Sequence, residues 1–156
     1  MPTLEQCAWA AGFMDGEGSI YVRSVHSKAG HPTWRRSYAI AISLGQDDIR
    51  PLIVLRALWG GSIAPQRIRA NGKCNCAWTL TAKSAASFLA DIRPYLQVKG
   101  EQADLALEMQ SSKKNLGPHH VSESVLAKWK EIKGRISTLN ARYPGYYDVS
   151  SLQGVR

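Results

Sequence analysis

Residues 10–18, A-A-G-F-M-D-G-E-G, place two carboxylates, Asp15 and Glu17, among three glycines at the end of an otherwise apolar helical run. Gly12 costs a helix interior about 1 kcal/mol relative to alanine, so packing against that position must offset it. Ala8, Gly12 and Gly16 recur at four-residue spacing and leave one helix face almost without side-chain bulk. A second helix backbone can approach along that face, with Ala11 and Asp15 at its border. Gly16 and Gly18 then allow the chain to turn, and Glu17 is held between them. A carboxylate delivered by a rigid helix to a close-packed two-helix seam suggests a metal site, one that a symmetry mate could share.

Elements with the right periods surround this corner. Leu4 to Met14 reads as a helix, and Ser19 to Ser27 with Arg35 to Leu44 as a hairpin joined by the loop 28–32. In the second strand Tyr38, Ile40, Ile42 and Leu44 alternate with Ser37, Ala39, Ala41 and Ser43, a period of two with one apolar face. Asp48 to Trp59 reads as a helix, with Pro51 in its first turn and Gly60-Gly61 at its end. Ser62 to Arg69 and Lys73 to Leu80 form a second hairpin around Asn71-Gly72. Helices are expected over Ala82 to Ile92, Gly100 to Gln110 and Ser122 to Leu139. The result is an α+β fold in the order α-β-β-α-β-β-α with further helices. Its four antiparallel strands carry helices on one face and leave the other open to water.

Charge identifies the partner of the open face. From Ser19 to Leu80 there are nine Lys and Arg against two acids, Asp47 and Asp48, a balance of +7 out of the chain's +8. Both acids precede the apolar run Ile49 to Leu58, where they suit a helix N-terminus. The strands themselves hold no acid, which favours a polyanion-binding face over a mixed solvated surface. That face is expected to carry Ser19, Tyr21, Arg23, Arg35, Ser37, Ser43, Arg67, Arg69, Lys73, Asn75 and Thr79, with Lys28 in the adjoining loop. Such groups read base edges, and a twisted two-stranded ribbon fits a major groove.

A length of 156 residues suits one domain, 1–156, with a core over 4–110 and a helical C-terminal region, 111–156. No apolar run reaches the length of a membrane span, and no signal peptide is visible. Three sparse cysteines argue for a reducing, intracellular compartment rather than a disulfide scaffold. Cys74 and Cys76 share one strand face and read as core rather than zinc ligands; His119 and His120 read as solvated.

The segment 10–18 closely resembles the motif of the LAGLIDADG homing endonucleases, with Ala10 where leucine is usual and Glu17 where aspartate is commoner. I-S-L-G-Q-D-D-I-R, residues 42–50, resembles the family segment in which a glutamine and a basic residue border the active site; these fall on Gln46 and Arg50. Y-L-Q-V-K-G-E-Q-A-D-L-A-L, residues 95–107, resembles the segment carrying an active-site lysine, which falls on Lys99. The resemblance spans roughly residues 8 to 110. It implies a site-specific, double-strand DNA endonuclease, encoded in a mobile intron or intein, that leaves short 3′ overhangs. A single motif implies a homodimer on a long, partly palindromic target. It further implies Mg²⁺, or another divalent cation such as Mn²⁺, held by Glu17 and the main-chain carbonyl of Gly16. On the DNA face Ala39 and Ala41 are expected to touch thymine methyls or leave room for water, and Arg142 to touch phosphate. Two rivals stand beside this reading: a maturase or regulator of the same fold that has lost cleavage, and a ribosomal or RNA-packaging protein suggested by charge alone.

Overall fold

The computed structural model describes residues 1–25, 37–68, 70, 72, 74–113 and 121–141. In chain order they form α1 (Leu4–Glu17), β1 (Gly18–Val25), β2 (Ser37–Gln46), α2 (Ile49–Trp59), β3 (Ser62–Ile68), β4 (Cys74–Thr81), α3 (Ala82–Ile92), a 3₁₀ turn (Arg93–Tyr95), α4 (Gly100–Ser112) and α5 (Glu123–Ala141). This is the element order the sequence predicts. The loop 28–32 and His119 and His120 lie outside the described residues. No helix among the described residues is long and apolar enough to cross a membrane.

Local chemistry sets the helix ends. Thr3 and Gln6 form a reciprocal capping box that starts α1, with hydrogen bonds of 2.8 and 3.3 Å. Asp48 caps α2 by accepting from the Arg50 amide at 3.0 Å, and Gly60, at φ 73°, ends it. Gly72, at φ 78°, supplies the left-handed residue that the second hairpin turn requires.

The strands form one antiparallel sheet in the order β1-β2-β4-β3. Ile20 faces Ile42, Val22 faces Ile40 and Leu44 faces Trp78, so one side of the sheet is apolar. That side packs on Ala10 and Met14 of α1, Ala85, Phe88, Leu89 and Ile92 of α3, and Ala103, Ala106 and Met109 of α4. Trp78 and Trp59 each meet Phe88 edge-on at 5.1 Å, and Trp78 Nε1 donates to the Gly60 carbonyl at 2.7 Å. Cys74 and Cys76 lie half-buried with their sulfurs 3.8 Å apart, free as expected.

Two expectations for α1 need correction. The helix does not end at Met14 in a glycine turn. It continues to Glu17, and Gly18 enters β1 in an extended conformation, φ −91° and ψ 162°. Gly18 is needed for space instead: a Cβ there would overlap Met14 Sδ and lie 2.7 Å from the Met14 carbonyl oxygen. Ala11 is not on the small-residue face. It is fully buried in the protomer's own core.

Candidate active site and nucleic-acid interface

The open side of the sheet is built by strand alternation. Ser19 pairs with Ser43 and Ser43 with Thr79; Tyr21 pairs with Ala41, Arg23 with Ala39, and Arg67 with Asn75. All of these residues therefore share the face away from the helices. None of the four strands contains an acid. Lys28, Arg35, Arg69, Lys73 and Arg142 lie outside the described residues, while Ser37 and Arg67 are placed by backbone register. Ala41 has no exposed surface, because Tyr21 and Thr81 flank it, so direct contact with a thymine methyl is closed to it. Ala39 keeps partial exposure.

Sequence reasoning missed three features of this face. Ser62 pairs with Thr79, and their hydroxyls lie 2.9 Å apart. Gln66 stands exposed at an irregularity between Pro65 and Arg67, where the register shifts by one residue. Asp47 accepts from Asn75 Nδ2 at 3.1 Å, so the expected base reader Asn75 is held by a neighbouring acid. The alternation of β3 could have revealed Ser62; the bulge and the Asp47 contact have no local signal.

One end of the sheet gathers the expected catalytic residues. Because α1 runs directly into β1, Glu17 is delivered at the start of the strand, exposed to solvent. Gly18 pairs with Leu44, so Gln46, two residues on, lies at the same end. The Gln46 side chain accepts from the Asp47 amide at 3.0 Å through Oε1. Arg50 follows in the first turn of α2, where its guanidinium pairs with Asp48 at 2.5 Å. That pairing holds the Asp48 carboxyl down at about 2.

Lys99 comes from far along the chain. Asp15 accepts from the amides of Gln97 and Val98 through Oδ2, at 2.7 and 3.1 Å, and from the Lys99 amide through Oδ1 at 2.9 Å. The Lys99 ammonium donates to the Asp15 carbonyl. Burial pushes the Lys99 pKa down, and the charges of Asp15 and Glu17 push it back up. Glu17 and Lys99 are therefore electrostatic neighbours. Asp15, expected to cap or stabilise the helix interface rather than bind metal, spends its carboxylate inside the protomer.

The rest of the small-residue face lies at the surface of the protomer. Ala8, Gly12 and Gly16 are exposed, and a Cβ on either glycine would meet no atom of the described residues within 4 Å. Trp9 borders that face at 41% exposure and packs on Phe13 at 5.6 Å.

Comparison with known proteins gives a consistent result. The sequence model described as LAGLIDADG endonuclease matches residues 10–102. No curated relative matches the chain. Among solved structures the chain is similar to the homing endonuclease I-CvuI in complex with its target, with a TM-score of 0.70, 22% identity, and coverage of 87% of this chain and 82% of that one. It is also similar to an archaeal intron-encoded homing endonuclease, I-Vdi141I, complexed with DNA: TM-score 0.70, 17% identity, and coverage of 95% and 92%. The meganuclease I-SmaMI, bound to uncleavable DNA, matches at TM-score 0.63 and 18% identity, over 82% of this chain and 43% of that longer one.

Proposed function

The chain belongs to the LAGLIDADG endonuclease family, and on that premise we propose that two copies bind one long, partly palindromic DNA site and cut both strands, leaving short 3′ overhangs. The observation that carries this reading is the grouping of Glu17, Lys99 and Gln46 at one end of an acid-free sheet.

The residues at that end fit a hard divalent cation such as Mg²⁺. Glu17 is exposed at the C-terminus of α1, where the last four carbonyls, Gly16 among them, have no partner within the helix and the dipole is negative. These are oxygen donors of the kind such ions take. Among the described residues no group of three or more His, Cys, Asp or Glu could hold a metal alone. Phosphate and water would complete the set, with the second copy's motif helix packed across a two-fold axis. When bound, the ion polarises the scissile phosphate and lowers the pKa of a water.

The protein's own groups do the remaining work. Gln46 orients the attacking water through its side-chain amide. Lys99 supports the charge that builds on the phosphate, and Arg50 does so on exchanging Asp48 for phosphate. Arg23, Arg67 and the polar residues of the open face hold the duplex, by contacts that salt weakens.

Selection from a randomised DNA library defines the target. On a plasmid carrying it, cleavage is expected with Mg²⁺ and not with EDTA. Glu17→Gln should slow cleavage by about 10²-fold or more while binding is retained. Loss of binding together with cleavage would make Glu17 structural. Tight binding by the unaltered protein without cleavage would instead establish the maturase or regulator of the same fold. The family match leaves the ribosomal alternative resting on charge alone.

A further inference from the structure

We propose that Asp15 is a positioning residue for cleavage: it grips Lys99 at both backbone and ammonium, and so fixes the ammonium beside Glu17. The inference rests on the role in cleavage proposed above for Lys99.

Three consecutive amides, of Gln97, Val98 and Lys99, converge on the Asp15 carboxylate at 2.7, 3.1 and 2.9 Å. They lie immediately before α4, and Lys99, the N-cap of that helix, makes no capping bond of its own. The Lys99 amide is a donor that the helix geometry orphans; the carboxylate satisfies it together with the two loop amides ahead of it, and complements the positive end of the dipole. The cap comes from 82 to 84 residues away in sequence.

The second grip is reciprocal. The Asp15 carbonyl is one of the last four of α1, which carries no basic residue in its last turn. Lys99 provides the missing cation by donating its ammonium to that carbonyl. One residue therefore clamps the start of α4 to the end of α1, and does so two positions before Glu17. With both carboxylate oxygens engaged by amides, Asp15 serves the loop, and Glu17 is the carboxylate left without a hydrogen bond among the described residues. Arg93 ties the turn before this loop to α4. Its guanidinium binds Asp104 at 2.6 and 2.7 Å and would lie 3.2 Å from a Cβ on Gly100.

Asp15→Asn keeps the shape but turns an amide group toward three donors. In single-turnover cleavage of the selected target, this variant should be ~10-fold slower or more, with DNA affinity unchanged within about twofold. In a Lys99→Ala background the same substitution should cost no further rate, because both changes remove one arrangement. An equal loss of rate in both backgrounds would overturn the proposal, as would weakened binding with a normal rate. If Asp15→Asn fails to fold, Gln97→Pro removes the shortest of the three bonds with the carboxylate intact, and the same cycle is run with it. A Lys99→Ala protein that cuts normally would refute the role of Lys99 itself. One that is slowed, with additive Asp15→Asn, would refute only the positioning role.

Discussion

Lysines in this protein illustrate how burial rather than sequence decides a side chain's behaviour. Lys113 donates to the Tyr38 carbonyl and sits 4.8 Å from the Trp129 ring centroid. Burial pushes its pKa below the usual lysine value of 10.5. Between the lowered folded value and 10.5 the unfolded chain holds more protons, so the stability of the fold rises with pH across that window. The penalty of burying the charge is complete below the folded pKa and gone above 10.5. Urea unfolding measured from pH 8 to 10.5 should show this rise, at most ~1.4 kcal/mol per pH unit per group. Lys113→Met should reduce it. An identical slope in both proteins would show that Lys113 titrates normally. Lys99 has the same direction of shift and contributes in the same sense.

The helix–strand joint is the element on which the candidate site depends. Because α1 passes into β1 without a loop, the position of Glu17 is set by two rigid elements at once. Gly18 makes that joint possible, since a side chain there would run into Met14. Gly18→Ala should therefore destabilise the fold by ~1–3 kcal/mol, read as a lowered urea midpoint. Trimming Met14 to alanine in the same chain should not restore it, because the Met14 backbone carbonyl is 2.7 Å from the added Cβ. Full rescue would mean that only the Met14 side chain obstructs the site.

For the molecule as a whole, the pairing proposed above makes the decisive question how two copies would meet. Gly12 and Gly16 meet nothing among the described residues that a side chain would strike, so their small size serves no contact among them. Gly12→Leu should leave the single chain folded, and by helix propensity should stabilise α1 by about 0.5–1 kcal/mol. The same change should separate the two motif helices. Light scattering should then give the monomer mass, with cleavage lost and the circular dichroism spectrum unchanged. A dimer of normal mass would refute packing along this face.

Much of this was legible in the chain because local rules carried it. Alternation over Tyr38 to Leu44, caps at Asp48 and Gly60, and the Asn71-Gly72 turn specify elements by short-range sterics and hydrogen bonding. The acid-free strands marked a face for polyanions, and the glycine pattern of residues 10–18 marked the corner proposed above as catalytic. What the tertiary structure decided is every contact made at long range. The partner that Asp15 holds proved to be Lys99, Ala11 and Ala41 withdrew into buried positions, and Asn75 became tied to Asp47. The physical reason is the same in each case. Periodicity says which face a residue is on, but the partner across that face is set by how distant elements pack, and no spacing along the chain encodes a contact 84 residues away.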